Sequence, residues 1–161
     1  MKKLILIYVL LFFWDCHAQV DSTYYYEAKK ILGSFPKSKI TAEDLYQSAL
    51  KIYDEQQITV PYQLAIAQAI TETSLGNSGV GKSRNNPFSI NSKKGYLIFP
   101  TMSDGVLAYY NFIAIKYLSC RTLSQLLNNF SNCNGKRYAS DKTYEAKLKK
   151  KIKILLRKIK N

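Results

Sequence analysis

The stretch AIAQAITETSLGNSGVG, residues 65–81, joins an apolar helical run to a single acid and a loop that carries three glycines. The run is apolar on nearly every side, which is typical of a helix in the middle of a domain. Glu72 lies near its end and is the only charged residue between Gln56 and Gly81. We therefore expect a carboxyl group that is partly removed from water, and such burial raises the pKa of a carboxyl group.

The flanking sequence predicts a mainly α-helical domain (α+β class) around this helix. The segment TAED at residues 41–44 supplies a hydroxyl N-cap and an acid at the third helical position, and Pro61 suits the first turn of the central helix. Further helices are expected to begin at Ser103 or Asp104, at Thr122 and at Asp141.

A small β-hairpin is predicted between the central helix and the helix that begins near Ser103. Two short runs, residues 88–90 and 96–99, flank the turn-forming segment NSKKG. The preceding segment GNSGVGKSRNNP, residues 76–87, is polar and rich in glycine, so we expect a loop there.

The first 18 residues have the pattern of a secretory signal peptide. Two lysines precede the apolar run LILIYVLLFFW, which is too short to span a bilayer, and Ala18 suits a cleavage site. An acylated Cys16 is the alternative, but Asp15 is not the small residue that a lipoprotein signal requires. We expect a periplasmic or secreted monomer without a transmembrane segment, made of a surface segment over residues 19–40 and one domain over residues 41–161.

Charge and composition limit the partners and the chemistry. The chain has 24 basic and 11 acidic residues, a net charge of +13, which favours an anionic cell-wall polymer or membrane surface. Because we expect the protein to be exported, nucleic acid is the least expected of its anionic partners. The single histidine, His17, lies in the predicted signal peptide, and its loss excludes Ser-His-Asp, Cys-His and His-ligated zinc hydrolases. Cys120 and Cys133 remain after cleavage, and an oxidising compartment favours one disulfide between them.

Glu72 suits the role of a general acid. Cleavage of a glycosidic bond near neutral pH needs a carboxyl group that still holds its proton. Glycines in the following loop would let the backbone approach a ligand, and the amides of Asn85 and Asn86 could orient sugar hydroxyls. The alternative is a glutamate at an exposed helix end followed by an ordinary loop.

Three segments together resemble a known enzyme family. LAIAQAITETSLGNSGVGKSRNNPFSI (residues 64–90), FPTMSDGVLAYYNFI (99–113) and RYASDKTYEAKL (137–148) are similar, in this order, to the motifs of the bacterial N-acetylglucosaminidases of glycoside hydrolase family 73, the flagellar and autolysin type. The resemblance implies a lysozyme-like fold and hydrolysis of peptidoglycan at the β-1,4 bond after N-acetylglucosamine, without a metal or organic cofactor.

The resemblance also implies roles for individual residues. Glu72 would be the general acid, and Tyr138 would lie across the cleft and position a water or an acetamido group. Asn86 and Phe88 would line the floor of the cleft, although Phe88 could equally be a core residue under the hairpin. Asp141 matches the motif aspartate, but we expect it to cap the last helix.

A second catalytic carboxylate is not evident. No acid occurs from Phe88 to Ser103, and the first one afterwards is Asp104. Asp104 could reach the cleft and bind substrate, the 2-acetamido group of the substrate could assist, or the protein could be a weak or inactive relative. We favour substrate assistance or a water held by Tyr138.

Other functions remain open from the sequence. The same fold hosts muramidases and lytic transglycosylases, which cut the neighbouring bond, and a relative without the chemistry would only bind cell wall. The basic segment LKKKIKILLRKIK could act on anionic lipid, although its apolar stripe is typical of a helix packed on the core. Lys82, Arg84, Lys93 and Lys94 could attract anionic peptidoglycan.

Overall fold

The structure, a computed structural model, describes residues 20–160. The predicted signal peptide, residues 1–18, lies outside them. The prediction of a mainly α-helical, lysozyme-like domain with one small hairpin is confirmed. The elements in chain order are α1 Ser22–Leu32, α2 Ala42–Gln56, α3 Tyr62–Thr73, α4 Gly79–Arg84, β1 Asn91–Ser92, β2 Gly95–Tyr96, α5 Met102–Ile113, a π-helical turn Ala114–Leu118, α6 Leu123–Asn128 and α7 Tyr144–Lys160. Within this part of the chain, no helix is both long and apolar enough to cross a membrane.

Helix α3 is the centre of the domain. Its residues Leu64–Ala69 are all buried, and α1, α4 and α7 pack against the helix. Alternating alanines keep the helix thin, so the neighbouring helices can approach from several sides. The nearly all-round apolar pattern of the sequence therefore predicted the burial of this helix correctly.

Helix caps follow the sequence, with one correction. Thr41 caps α2 and forms the expected capping box with Asp44. The N-cap of helix α5 is Thr101, two or three residues before the predicted Ser103 or Asp104, and Asp104 is the third helical residue, whose carboxylate accepts from the Thr101 backbone N–H. The pair Thr101–Asp104 has the same spacing as Thr41–Asp44 and was available in the sequence.

The N-terminal segment is not the surface wrap that we predicted for residues 19–40. Residues 22–32 form α1, capped by Asp21, and the face made by Tyr24, Ala28, Ile31 and Leu32 is buried against the core. The Tyr24 hydroxyl donates to the Val60 carbonyl at 2.9 Å. The polar composition of the segment belongs to the opposite face, and the helical spacing of its apolar residues was the signal that we missed.

The region between α3 and α5 differs in detail from the prediction. The expected loop over residues 76–87 contains the short helix α4. The hairpin is present, but its strands pair Asn91 with Tyr96 and Ser92 with Gly95, so part of the predicted turn is strand. The apolar run 88–90 instead turns inward, and Phe88 and Ile90 are buried.

Helix α7 packs on the core through one stripe. Tyr144, Leu148, Ile152 and Leu155 are buried, and most of its lysines face solvent. Asp141 was predicted to cap this helix, but the helix begins three residues later, and the Asp141 carboxylate instead accepts from the Thr143 backbone N–H at 2.8 Å in the preceding turn. Core packing accounts for the amphipathic pattern of this segment.

The predicted disulfide between Cys120 and Cys133 is present, with the Cα atoms 5.9 Å apart. It joins the end of the π-helical turn to the loop of residues 131–137. The Cys133 backbone N–H also donates to the Lys116 carbonyl at 2.8 Å. Covalent and hydrogen bonds therefore fix this loop against the end of α5.

Removal of the disulfide should destabilise the domain. We expect the double variant Cys120→Ser/Cys133→Ser to lose about 2–4 kcal/mol of unfolding free energy, because the unfolded chain regains the freedom that the crosslink removed. Urea unfolding followed by circular dichroism measures the loss. Wild-type protein in reducing agent should show the same loss, and an unchanged midpoint in both samples would contradict the prediction.

Candidate active site

The Glu72 side chain lies in the last turn of α3, where it is largely removed from water. Burial raises the pKa of Glu72, and hydrogen bonds from the side chains of Tyr144 and Ser89 oppose this effect without cancelling it. The carbonyl end of the helix acts in the same direction as burial, since it disfavours a nearby negative charge. Glu72 therefore holds its proton to higher pH than an ordinary glutamate.

A chain of hydrogen bonds ends on the Glu72 carboxyl. The Tyr109 hydroxyl donates to Gln68 Oε1, and Gln68 Nε2 donates to the Tyr144 hydroxyl at 2.8 Å. The Tyr144 hydroxyl in turn donates to Glu72 Oε1 at 2.9 Å. Each donor in this chain points toward Glu72, so the chain fixes the position of the carboxyl and stabilises it when it is ionised.

Tyr138 lies against this chain. Its ring stacks on Tyr144 with centroids 5.6 Å apart, and its hydroxyl donates to the Phe88 carbonyl at 2.8 Å. Burial raises the pKa of Tyr138, and the nearby Glu72 charge acts in the same direction. The phenol is therefore neutral, and its proton is committed to Phe88, so its oxygen is left as an acceptor.

Phe88 does not offer a surface to a ligand. Its side chain is fully buried and stacks on Tyr109 with centroids 3.6 Å apart. The predicted place in the floor of the cleft is therefore wrong for its side chain, and the alternative of a core residue is correct. Through its carbonyl and its ring, Phe88 connects Tyr138 to Tyr109.

The amides of Asn85 and Asn86 hold the backbone. Asn86 is buried; its Oδ1 accepts from Ile90 N–H at 2.8 Å, and its Nδ2 donates to the carbonyls of Ile90 and Leu97. Asn85 ends α4 in a left-handed conformation and donates to the carbonyls of Phe99 and Pro100. The side-chain amides of both residues thus hold the backbone of the hairpin region.

Asp104 is not brought to Glu72 by any described contact. Its carboxylate also accepts from the Thr101 hydroxyl at 2.7 Å. The side chain lines a separate cavity between α2 and α5, together with Asp44 and Ser103. Helix capping accounts for this acid, as the sequence suggested.

The glycine-bearing loop folds back on the end of α3. Ser74, Leu75 and Gly76 are all left-handed, with φ of 51°, 60° and 84°. A Cβ atom on Gly81 would lie 2.6 Å from Thr73 Cβ, so only glycine allows this approach. Gly81 therefore packs the loop against the helix beside Glu72, whereas we had expected the loop to approach a ligand.

A cavity of about 330 Å³ opens beside Tyr138. Its walls come from the hairpin region, the end of α5 with the π-helical turn, and the loop that the disulfide holds; they include Ser89, Asn91, Phe112, Lys116, Asn134, Lys136, Arg137 and Tyr138. Ser89, on the wall of this cavity, is close enough to the Glu72 carboxyl to lower its pKa, so this wall connects the cavity to the acid. Glu72 and Tyr138 thus lie close together, on either side of Tyr144.

Residues 47–156 match the family model of the glucosaminidases, described as mannosyl-glycoprotein endo-beta-N-acetylglucosaminidase. The chain belongs to this family. The matched span covers most of the chain and includes Glu72, Tyr138 and Tyr144. No curated protein matches the chain.

Three further residues of the glucosaminidase domain, Gln68, Tyr144 and Ser89, lie at Glu72 or in its chain of hydrogen bonds. Gln68 was recognisable as the one amide inside the run AIAQAI, because a lone polar side chain in a buried helix needs a partner. Tyr144 lay in the third matching segment. Ser89 gave no signal, since its left-handed backbone, with φ of 53°, is not typical of serine.

Glu145 is a second glutamate near the site, in an opposite environment. It is buried, which disfavours its charge, but the Phe130 backbone N–H and the Arg137 guanidinium outweigh this and lower the pKa of Glu145. Both Glu145 oxygens accept from Arg137 Nη2, at 2.8 and 2.9 Å. In residues 20–160 no three His, Cys, Asp or Glu side chains form a group that could hold a metal ion.

Replacement of Glu72 and of Glu145 by neutral glutamine should change the thermal midpoint in opposite directions. Glu72 has a raised pKa, so at pH 7 the folded protein must ionise it at a cost that the unfolded chain does not have. We expect Glu72→Gln to raise the thermal midpoint at pH 7, with a gain that fades as the pH falls through the raised pKa of Glu72 and is absent below about 4.3, where both states hold the proton.

Glu145→Gln is the matched control. The lowered pKa of Glu145 stabilises the fold above the pKa of an unfolded glutamate, and this stabilisation is lost in acid. The variant should therefore melt below wild type at pH 7, with a difference that shrinks toward low pH. Calorimetry from pH 3 to 8 compares the three proteins. A lower midpoint of Glu72→Gln at pH 7 would show that Glu72 is not held in a charge-disfavouring site.

Proposed function

We propose that the protein is a peptidoglycan hydrolase that cleaves the β-1,4 bond after N-acetylglucosamine, with Glu72 as its general acid. The family supports a glycoside hydrolase. The observation that carries the choice of acid is the environment of Glu72, a carboxyl group with a raised pKa at the end of a donor chain. A general acid needs both a retained proton and a partner that stabilises the carboxylate after the proton leaves.

The phenol oxygen of Tyr138 is available as a hydrogen-bond acceptor, and this supports a mechanism in which the substrate's acetamido group assists. The Tyr138 hydroxyl proton is given to the Phe88 carbonyl, so the phenol oxygen can accept the N–H of an acetamido group. That contact would aim the acetamido carbonyl oxygen at the anomeric carbon. The carbonyl oxygen then bonds to this carbon while the glycosidic bond breaks and Glu72 protonates the leaving oxygen.

The second half of the reaction uses the same carboxyl group. Glu72, now ionised, takes a proton from a water that attacks the anomeric carbon and opens the cyclic intermediate. Tyr144 stabilises the carboxylate between the two steps, because its hydroxyl donates to Glu72 Oε1. One protein carboxylate is sufficient for this sequence, which agrees with the lack of any acid from Phe88 to Ser103.

Export through the predicted signal peptide would place this activity at the cell wall. The net charge of +13 favours an anionic polymer, and peptidoglycan carries carboxylates on its peptide stems. We propose a periplasmic or secreted location on these grounds.

The Glu72→Gln variant tests the proposed activity. Wild type and variant are incubated with purified peptidoglycan, the soluble fragments are reduced with borohydride, and their ends are identified by mass spectrometry. Reduced N-acetylglucosamine ends should appear with wild type, and the variant should release them about 10²–10⁴-fold more slowly, the contribution of a general acid.

Two other outcomes would contradict the proposal. Reduced or anhydro muramic ends would assign the cut to the neighbouring bond, as in a muramidase or a lytic transglycosylase. Absence of fragments from both proteins, with both still sedimenting with the wall, would indicate a domain that binds without cleaving.

The donor chain makes a separate prediction for the pH dependence. Tyr144→Phe removes the hydrogen bond that lowers the pKa of Glu72, so the alkaline limb of kcat/KM should move to higher pH. Tyr110→Phe is the control: its hydroxyl bonds to Tyr24 at 2.6 Å and not to the Glu72 chain. Both variants should lose about 1 kcal/mol of stability, as for one buried hydrogen bond, but only Tyr144→Phe should shift the limb. If the alkaline limb of kcat/KM lies at the same pH in both variants, Tyr144 does not lower the pKa of Glu72.

A further inference from the structure

The charged residues that line the cavity beside Tyr138 are all basic. Its charged lining residues are Lys116, Lys136 and Arg137, and no acidic residue lines it. Arg137 is engaged, because its guanidinium pairs with Glu145 at 2.8 Å and donates to the Asp141 carbonyl. The two lysines, by contrast, are exposed residues whose ammonium groups make no hydrogen bond or ion pair within residues 20–160.

Two amide side chains add uncommitted hydrogen-bonding groups to the same walls. Asn91, from β1, and Asn134, from the loop of residues 131–137, both line the cavity. Neither side-chain amide has a partner within the described part of the chain. Ammonium and amide N–H groups together form a donor set suited to an anionic oxygen ligand.

The two lysines stand on backbone that is held in place. The Lys116 carbonyl, in the π-helical turn, accepts from Cys133 N–H next to the disulfide. The backbone of Lys136 makes two hydrogen bonds to Asn132: its N–H donates to Asn132 Oδ1 at 2.8 Å, and its carbonyl accepts from Asn132 N–H at 2.8 Å. The backbone of both lysines is therefore held in place across one cavity, so that only their side chains must be ordered when a ligand binds between them.

We propose that this cavity binds a carboxylate of the stem peptide carried by the muramyl residue next to the scissile bond. The proposal rests on the proposed function, in which the substrate is peptidoglycan. The cavity lies beside Tyr138 and Ser89, so its occupant belongs to a sugar near the reacting one. Among the parts of that polymer, the peptide stem supplies the carboxylates that a pair of ammonium groups would recognise. Such a site makes the enzyme select glycan that bears peptides over bare glycan.

The test removes both charges and compares two substrates. Lys116→Met/Lys136→Met keeps most of the aliphatic length, and Lys150→Met/Lys153→Met on the exposed side of α7 is the control with the same change in charge. The substrates are intact peptidoglycan and the same glycan strands after an amidase has removed the stems. The cavity variant should lose about tenfold in kcat/KM on stem-bearing glycan, the value of one charge-assisted hydrogen bond, and nothing on stripped glycan. The α7 variant should lose nothing on either substrate.

A binding titration separates this proposal from the proposed function. Calorimetry with a soluble disaccharide peptide measures affinity without cleavage, and the cavity variant should bind it about tenfold more weakly than wild type. An uncharged N-acetylglucosamine oligomer should bind both equally. Equal affinities for the peptide ligand, or equal losses on both glycans, would overturn the carboxylate site. If wild type binds the peptide ligand about tenfold more tightly than the cavity variant but cleaves neither glycan, the result contradicts the hydrolase activity and leaves the carboxylate site standing.

Discussion

The burial of α3 is the constraint on which the rest of the structure depends. Neighbouring helices cover it, so its last turn is partly buried and Glu72 is largely removed from bulk water. The chain must turn away at once, which explains the three left-handed residues after Thr73 and the close approach of Gly81. A carboxyl in this place needs donors, and Tyr144 and Gln68 provide them through one continuous chain.

Much of the architecture could be predicted because it depends on local chemistry. The apolar run of α3 predicted a central helix, and Thr41 with Asp44 predicted a capped start. Cys120 and Cys133 are the two cysteines outside the predicted signal peptide, so the expectation of an oxidising compartment was enough to predict their pairing. Glu72 stood out because a lone charge at the end of a buried helix must have an unusual environment.

Other features could not be predicted because they depend on tertiary contacts. Asn86 was expected to contact sugar, but the fold uses its amide for three backbone bonds that hold the hairpin region. Phe88 became a core residue because Tyr109, from a distant helix, covers its ring. Segment 20–40 carried a helical pattern that its polar composition obscured. In each case the residue type allowed two roles, and only the neighbours decide between them.

The most direct test is a titration of the Glu72 carboxyl itself. In the full-length protein with ¹³C-labelled glutamate, the Glu72 side-chain carbon is assigned by its absence from the spectrum of Glu72→Gln and followed over pH. We expect the Glu72 midpoint to lie above that of an ordinary glutamate and the Glu145 midpoint to lie below it in the same sample. A Glu72 midpoint at or below the ordinary glutamate value would contradict a desolvated acid, and with it the general-acid role.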